Sequence, residues 1–314
     1  MPEQRQPEHA LTDPRIGAVV REVIRLYENT FPGQIAACYV EGSYADQTSL
    51  PTSDLDLLIV FRGRFADDAA RQAAEQAWNG NEAGTHEVDI SVIDEDTLRK
   101  EGVYPSAKLG GRLLYGEDVL SLYPIIPIEE WARERMNAAY WLTINVYQRP
   151  IPVRLPLPFP NPADEFYGYT NRTVTLADGR EVPCTRNLVR TTGWAATALL
   201  AFQAGQYVGR KRDGLRLYRE HIGDEWTSLL EEIATFCRDR WQYLIPEAPE
   251  ERTHLRSICQ RTLGFEQHFL TRYKPCLLKQ LRSTNPEQVR FISWVQQQVP
   301  LDDPEIMAAL QSLK

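Results

Sequence analysis

Segment 39–61, YVEGSYADQTSLPTSDLDLLIVF, holds the residues best equipped for chemistry. Asp54 and Asp56 flank Leu55 at the head of an apolar run. Side chains in an extended strand alternate, so both carboxylates point to one side and Leu55, Leu57 and Ile59 to the other. Two carboxylates held this close repel each other unless a cation sits between them. Mg²⁺ takes oxygen ligands, and one or two carboxylates plus substrate phosphates satisfy it. The spacing predicts a platform for a metal and a nucleotide. Upstream, Gly42-Ser43 has the complementary role. Glycine brings backbone close to an anion and tolerates positive φ. A short helix beginning at Ser43 would aim free N–H groups at phosphate, and the serine hydroxyl adds a donor. Ser53, just before the aspartates, is grouped with Gly42 and Ser43 as a nucleotide contact. Over 86–93, HEVDISVI alternates, with Glu87, Asp89 and Ser91 on one face and Val88, Ile90 and Val92 on the other. Asp89, between Val88 and Ile90, is placed to hold a second metal ion or to take the proton from an attacking hydroxyl. Glu87 is the alternative third carboxylate.

These side chains need a scaffold, and the pattern supplies one. Asp13-Pro14 opens a helix over 12–30. Residues 34–40 and 55–61 read as strands, the second apolar enough to be central. An Ala-rich helix over 66–79, the strand at 86–93 and a short helix over 105–114 follow. This order predicts an α/β (α+β) catalytic domain with a mixed sheet over 1–125. The remainder, 126–314, reads as an all-α helical bundle domain. Its helices are expected at 128–148, 186–204, 211–221, 224–244, 251–280 and 286–298. The insertion at about 149–183 interrupts them. It holds a proline-rich stretch over 149–163, which is neither helix nor central strand, and a hairpin over 172–183 around Asp178-Gly179. The active site is expected in the cleft between the domains.

Bulk properties narrow the function. The chain has 314 residues and a net charge of −8. That charge argues against a grip on long nucleic acid, which favours a basic excess, and is compatible with a cationic small substrate. The five cysteines, Cys38, Cys184, Cys237, Cys259 and Cys276, show no CxxC pair, and no Cys/His grouping has zinc spacing. A reduced cytoplasmic protein is expected, with no signal peptide and no membrane span.

Gly42-Ser43, Asp54-x-Asp56 leading an apolar strand, and Asp89 on a later strand together resemble the DNA polymerase β-type nucleotidyltransferase superfamily. GGRLLYGEDVL (110–120) is similar to the segment closing the catalytic domain in many bacterial members, where a Leu-Tyr-Gly turn ends it. Residues 186–220 resemble the helical domain of aminoglycoside adenylyltransferases. There a lysine that follows a helix-ending turn contacts the nucleotide phosphates. Here the turn is Ala204-Gly205, and Lys211 matches the lysine. Where that family places an arginine on the preceding helix, this chain has Thr197, with Arg190 and Arg186 the nearest basic residues. The 149–183 insertion is also extra.

The resemblance implies transfer of AMP from ATP to a hydroxyl of a small, aminoglycoside-like acceptor, with two Mg²⁺ ions held by Asp54, Asp56 and Asp89, as in antibiotic resistance. The alternatives are modification of a protein or tRNA, as in toxin–antitoxin systems, and a regulator that binds nucleotide without turnover. An acidic cleft lining would favour the small acceptor.

Other features have plainer readings. Asp164 to Tyr169 mixes acidic and aromatic residues that suit a cationic sugar, but such loops more often pack their aromatics onto a domain. Arg216 and His221 fit an R-x4-H spacing seen in helical ribonuclease domains, which arises easily by chance. Trp194, Trp226, Trp241 and Trp294 fall on helical patterns as core residues.

Overall fold

The computed structural model describes residues 13–50, 53–79, 87–176, 178–282, 292, 293, 295 and 297–312. Helix α1 (Pro14–Thr30) begins where Asp13 accepts a hydrogen bond from the Arg15 N–H at 2.9 Å, with Pro14 in the first turn. Ile16, Val20, Val23 and Tyr27 recur at helical spacing and are fully buried. Each large aliphatic side chain buried this way contributes about 1.5–3 kcal/mol.

These residues pack on a four-stranded sheet of β1 (Ile35–Val40), β2 (Leu55–Phe61), β3 (Val88–Asp94) and β4 (Arg112–Gly116). The order is β3-β2-β1-β4. β1 runs antiparallel to β2 and β4, while β2 and β3 are parallel, so the sheet is mixed and β2 is internal. Strand alternation divides the core. Leu55, Leu57, Ile59 and Phe61 face α1 and α3 (Asp68–Gln76). Leu58 and Val60 face Leu98 of α4 (Glu95–Glu101), with Ala107 and Leu120.

One expectation is corrected here. Residues 105–114 are helical only in their first half. Ser106–Gly110 is a single π-helical turn, and Arg112–Gly116 is strand β4, paired to β1 through Cys38–Tyr115 and Tyr39–Leu113. The Leu-Tyr-Gly turn expected to end the domain is therefore part of the sheet. Helix propensity is a weak prior, and the open edge of β1 offers backbone partners that outweigh it. Helix α4 was not foreseen in the sequence.

The chain divides into two compact units. The first comprises Met1–Pro127 together with Tyr207–Asp213, and the second comprises Ile128–Gln206 and Gly214–Lys314. The second unit is mostly helical, with α5 (Ile128–Val146), α6 (Arg186–Ala204), α8 (Thr227–Glu232), α9 (Pro249–Leu281) and a last helix Pro304–Gln311. Helix α7 (Lys211–His221) starts in the segment assigned to the first unit and continues in the second. The helix expected over 224–244 is instead α8 running into a π-helix, Ile233–Arg240. The helix expected at 286–298 lies largely outside the described residues.

The insertion forms a two-stranded hairpin of β5 (Arg172–Thr175) and β6 (Glu181–Cys184). Its proline-rich part is pinned inside the unit. Buried Arg149 donates to the Pro158 carbonyl at 2.7 Å and pairs with buried Glu266 of α9. The Tyr169 hydroxyl donates to the same carboxylate at 2.9 Å. All five cysteines are buried and free. Among the described residues no helix is long and apolar enough to cross a membrane.

Candidate active site

β1 ends at Val40, opposite Leu57 of β2. The next N–H, that of Glu41, donates to the Asp56 carbonyl at 2.9 Å, which holds the turn that follows level with the head of β2. Gly42 takes φ 63°, a left-handed conformation that side chains resist. The backbone thereby turns into α2 (Gly42–Ala45). This helix is one residue earlier than expected and only one turn long. Its N–H groups act as local donors rather than through a summed helix dipole. Ser43 is buried.

Asp54 lies just ahead of β2 rather than within it, and is half-buried. Its charge reaches α2. Burial raises the Tyr44 hydroxyl above its ordinary value, and Asp13 and Asp54 raise it further. Asp56, half-buried in β2, stands directly opposite Asp89 in the parallel register with β3. Side chains of directly paired residues lie on one face of a sheet. Asp56 and Asp89 thus extend the Leu58 and Val60 face to the sheet end where α2 begins. Asp89 is exposed. Glu87 precedes β3, its carbonyl accepts from the Leu55 N–H at 2.9 Å, and its side chain is also exposed.

Among the described residues no group of three or more His, Cys, Asp or Glu side chains stands close enough to hold a metal ion. The three aspartates are therefore not gathered into a preformed cage. The donor chemistry still suits Mg²⁺, which needs only one or two carboxylates and completes its shell with water and phosphate oxygens. Asp54 and Asp56 with Asp89 beside them meet that requirement.

Ser53 has a local task. Its hydroxyl accepts from the Leu50 N–H at 2.9 Å and its own N–H donates to the Leu50 carbonyl at 2.9 Å, which closes the loop ahead of the aspartates. Asp94 anchors the far end of β3. It caps α4 by accepting from the Thr97 N–H at 2.7 Å and also accepts from the Phe65 N–H at 2.8 Å. Burial pushes its carboxyl up, but these hydrogen bonds outweigh it and hold the group below its ordinary value of 3.8. A depressed carboxyl stabilises the fold above that value, and the contribution fades as pH falls through the folded-state value. Asp94→Ala is expected to cost about 1–2 kcal/mol near neutral pH. Thermal melts across pH should show the difference from wild type shrinking in acid.

Lys211 begins α7, and segment Tyr207–Asp213 belongs to the compact unit that carries the aspartates. The Tyr207 hydroxyl donates to the Ile126 carbonyl at 2.6 Å. Arg210 stands with Nε 3.6 Å from Oδ1 of buried Asp46, the residue that ends α2. The sequence reading missed this pair. Its only signal was the Arg210-Lys211-Arg212 run, which looks like an ordinary solvated helix start.

Residues 20–107 match the family described as nucleotidyltransferase domain. The first unit carries a nucleotidyltransferase domain. The matched stretch contains Gly42, Ser43, Asp54, Asp56 and Asp89, and the domain makes the protein a transferase enzyme. Among solved structures, a spectinomycin adenyltransferase from Enterococcus faecialis with ATP and spectinomycin is similar at 14% identity and a TM-score of 0.43, over 77% of this chain and 98% of that one. The toxin-antitoxin MntA-HpeT mutant is similar at 17% identity and a TM-score of 0.23, over 40% of this chain and 94% of that one. The Bradyrhizobium diazoefficiens CD-NTase CdnG in complex with GTP is similar at 16% identity and a TM-score of 0.24, over 98% of this chain and 93% of that one. Likeness at this level carries no substrate from those proteins to the nucleotidyltransferase. No curated protein matches the chain.

The remaining candidates belong to the second unit. Arg216 pairs with Glu220 one turn along α7 at 2.7 Å, and His221 is exposed. Asp164 accepts from the Phe166 and Gly168 N–H groups, each at 3.0 Å, in a tight loop that buries Phe166 and Tyr169. Trp241 is buried, and half-buried Trp226 packs on Phe265. Trp194 is half-buried, with the Arg135 and Arg190 guanidinium groups 5.0 and 5.7 Å from its ring centre. Trp294 lies outside the described residues.

Proposed function

We propose that the protein transfers AMP from ATP to a hydroxyl of a small, polar, cationic acceptor of aminoglycoside type. The observation that carries this reading is the direct register of Asp56 with Asp89. Like charges opposite one another destabilise a sheet, and a site that neutralises them during turnover gives the arrangement a purpose. The net charge of −8 supports a cationic acceptor over a nucleic acid. Five buried free cysteines fit the reducing cytoplasm, where ATP is supplied.

In this mechanism the triphosphate is held by the Gly42 backbone, the Ser43 hydroxyl and Lys211. Ser53 keeps the adjoining loop closed. Asp54 and Asp56 would hold Mg²⁺, with Asp89 available for a second ion, and the metal would neutralise charge on the phosphate oxygens. Asp89 is preferred to Glu87 because it pairs with Asp56, whereas Glu87 lies outside the strand. Asp89 takes the proton of the acceptor hydroxyl. The hydroxyl oxygen bonds to the α-phosphorus in line, the bond from that phosphorus to the bridging oxygen breaks, and pyrophosphate leaves.

The test is pyrophosphate release from ATP and Mg²⁺ across a panel of aminoglycosides, a bulk tRNA fraction and a protein fraction, with products identified by mass. An aminoglycoside bearing one AMP is the expected product. Transfer to tRNA or protein alone would replace the small acceptor with a macromolecule. No turnover with any acceptor would overturn the reading.

A further inference from the structure

The strap Tyr207–Asp213 is fastened to the nucleotidyltransferase domain by three independent contacts. One is the Tyr207 hydroxyl on the Ile126 carbonyl. The second is a backbone seat. A Cβ placed on Gly110 would come within 2.3 Å of the Gly209 carbonyl oxygen, and one on Gly209 within 2.4 Å of the Leu109 Cβ. No other residue fits at either position without moving the strap off the π-helical turn. The third is the pair of Arg210 with Asp46. The Asp46 side chain is 2% exposed and that of Arg210 42%. A carboxylate this buried needs a cation close by, and the strap supplies one. At 3.6 Å the contact is an ion pair rather than a hydrogen bond. Asp46 also donates its N–H to the Gly42 carbonyl at 3.1 Å, so it belongs structurally to the Gly42-Ser43 turn.

Arg210 therefore joins two segments far apart in the chain, the turn carrying Gly42 and Ser43 and the strap carrying Lys211. We propose that Arg210, acting through Asp46, is a positioning residue for the phosphate chain of a nucleoside triphosphate. The pair locks the turn and the strap into one arrangement, with Gly110 and Gly209 setting how closely the strap approaches. The inference rests on the phosphate-holding role proposed for Gly42, Ser43 and Lys211. Arg210 itself touches no reacting atom.

The test compares wild type with Arg210→Met, Arg210→Lys, Asp46→Asn and the double variant Arg210→Met/Asp46→Asn. Calorimetry gives Kd for a non-hydrolysable ATP analogue with Mg²⁺. Steady-state pyrophosphate release gives kcat and KM for ATP and for the acceptor, and melts give Tm. Arg210→Met and Asp46→Asn are expected to raise Kd and KM for ATP roughly 10- to 100-fold. The acceptor KM should stay near wild type, and kcat should fall less than KM rises. The double variant should be no worse than either single one, because both break one contact. Arg210→Lys should recover much of the affinity. A lowered Tm with unchanged ATP affinity would mean a purely structural pair and overturn the proposal. Should Arg210→Met fail to fold, Asp46→Asn carries the same comparison, with Arg210→Lys as the conservative control. A wild type that binds no nucleotide overturns this inference together with the proposed function. A wild type that binds nucleotide, with variants that match it, overturns this inference alone.

Discussion

Asp56→Asn is expected to abolish nucleotidyl transfer to within a residual rate on the order of 10³-fold below wild type, while leaving Tm unchanged or slightly raised. The two effects have separate causes. Asparagine keeps the shape of the half-buried side chain and its place opposite Asp89. It removes one of two like charges, and relief of such a cross-strand repulsion is worth about 0.2–1 kcal/mol. The same change takes an anionic oxygen from the proposed Mg²⁺ ligand set. Loss of activity with no loss of stability separates a functional carboxylate from a structural one. Asp54→Asn should act in the same direction. Asp89→Asn should lower kcat more than it raises KM for ATP if the residue accepts the acceptor's proton. Steady-state rates and thermal melts on the same preparations check all three.

The largest effect on stability is expected in the second unit. Glu266→Ala should destabilise it by about 3–5 kcal/mol. Arg149 and Glu266 have side chains only 3% and 4% exposed, so removing the carboxylate strands a buried guanidinium. It also leaves the buried Tyr169 hydroxyl without its acceptor. Arg149 in turn holds the Pro158 carbonyl, so its displacement frees the proline-rich insertion from α9. The paired change Arg149→Met/Glu266→Leu removes both charges together and should cost far less than either single truncation. Denaturant unfolding of the singles and the double measures this. Equal or additive losses would contradict the account.

Much of the backbone around the candidate site was legible because its signals are local. Period-two alternation fixed which side of β2 carries Asp56, and it placed Asp89 on the matching face of β3. Gly42 announced a turn, and the backbone there does take a left-handed conformation. What escaped depends on partners distant in sequence. Arg112 to Gly116 carries no strand signal of its own and becomes β4 because β1 has an open edge. The bonding of Arg210 to Asp46, and of Arg149 to Glu266, joins residues far apart in the chain, and no local pattern encodes either pair. The segment Tyr207–Asp213 sits in the middle of helical sequence, yet it belongs to the first compact unit. The close approach of Gly110 and Gly209, with the Tyr207 and Arg210 contacts, shows how it is seated.

The most direct test of the central claim is to follow the two ends of the triphosphate separately. ATP labelled at the α-phosphate and ATP labelled at the γ-phosphate are each incubated with protein, Mg²⁺ and the acceptor found by the product screen. The account predicts α-label on the acceptor, γ-label in pyrophosphate, and both slowed on the order of 10³-fold in Asp56→Asn protein. Label from the γ-phosphate on the acceptor, or α-label transfer near the wild-type rate in Asp56→Asn protein, would contradict it.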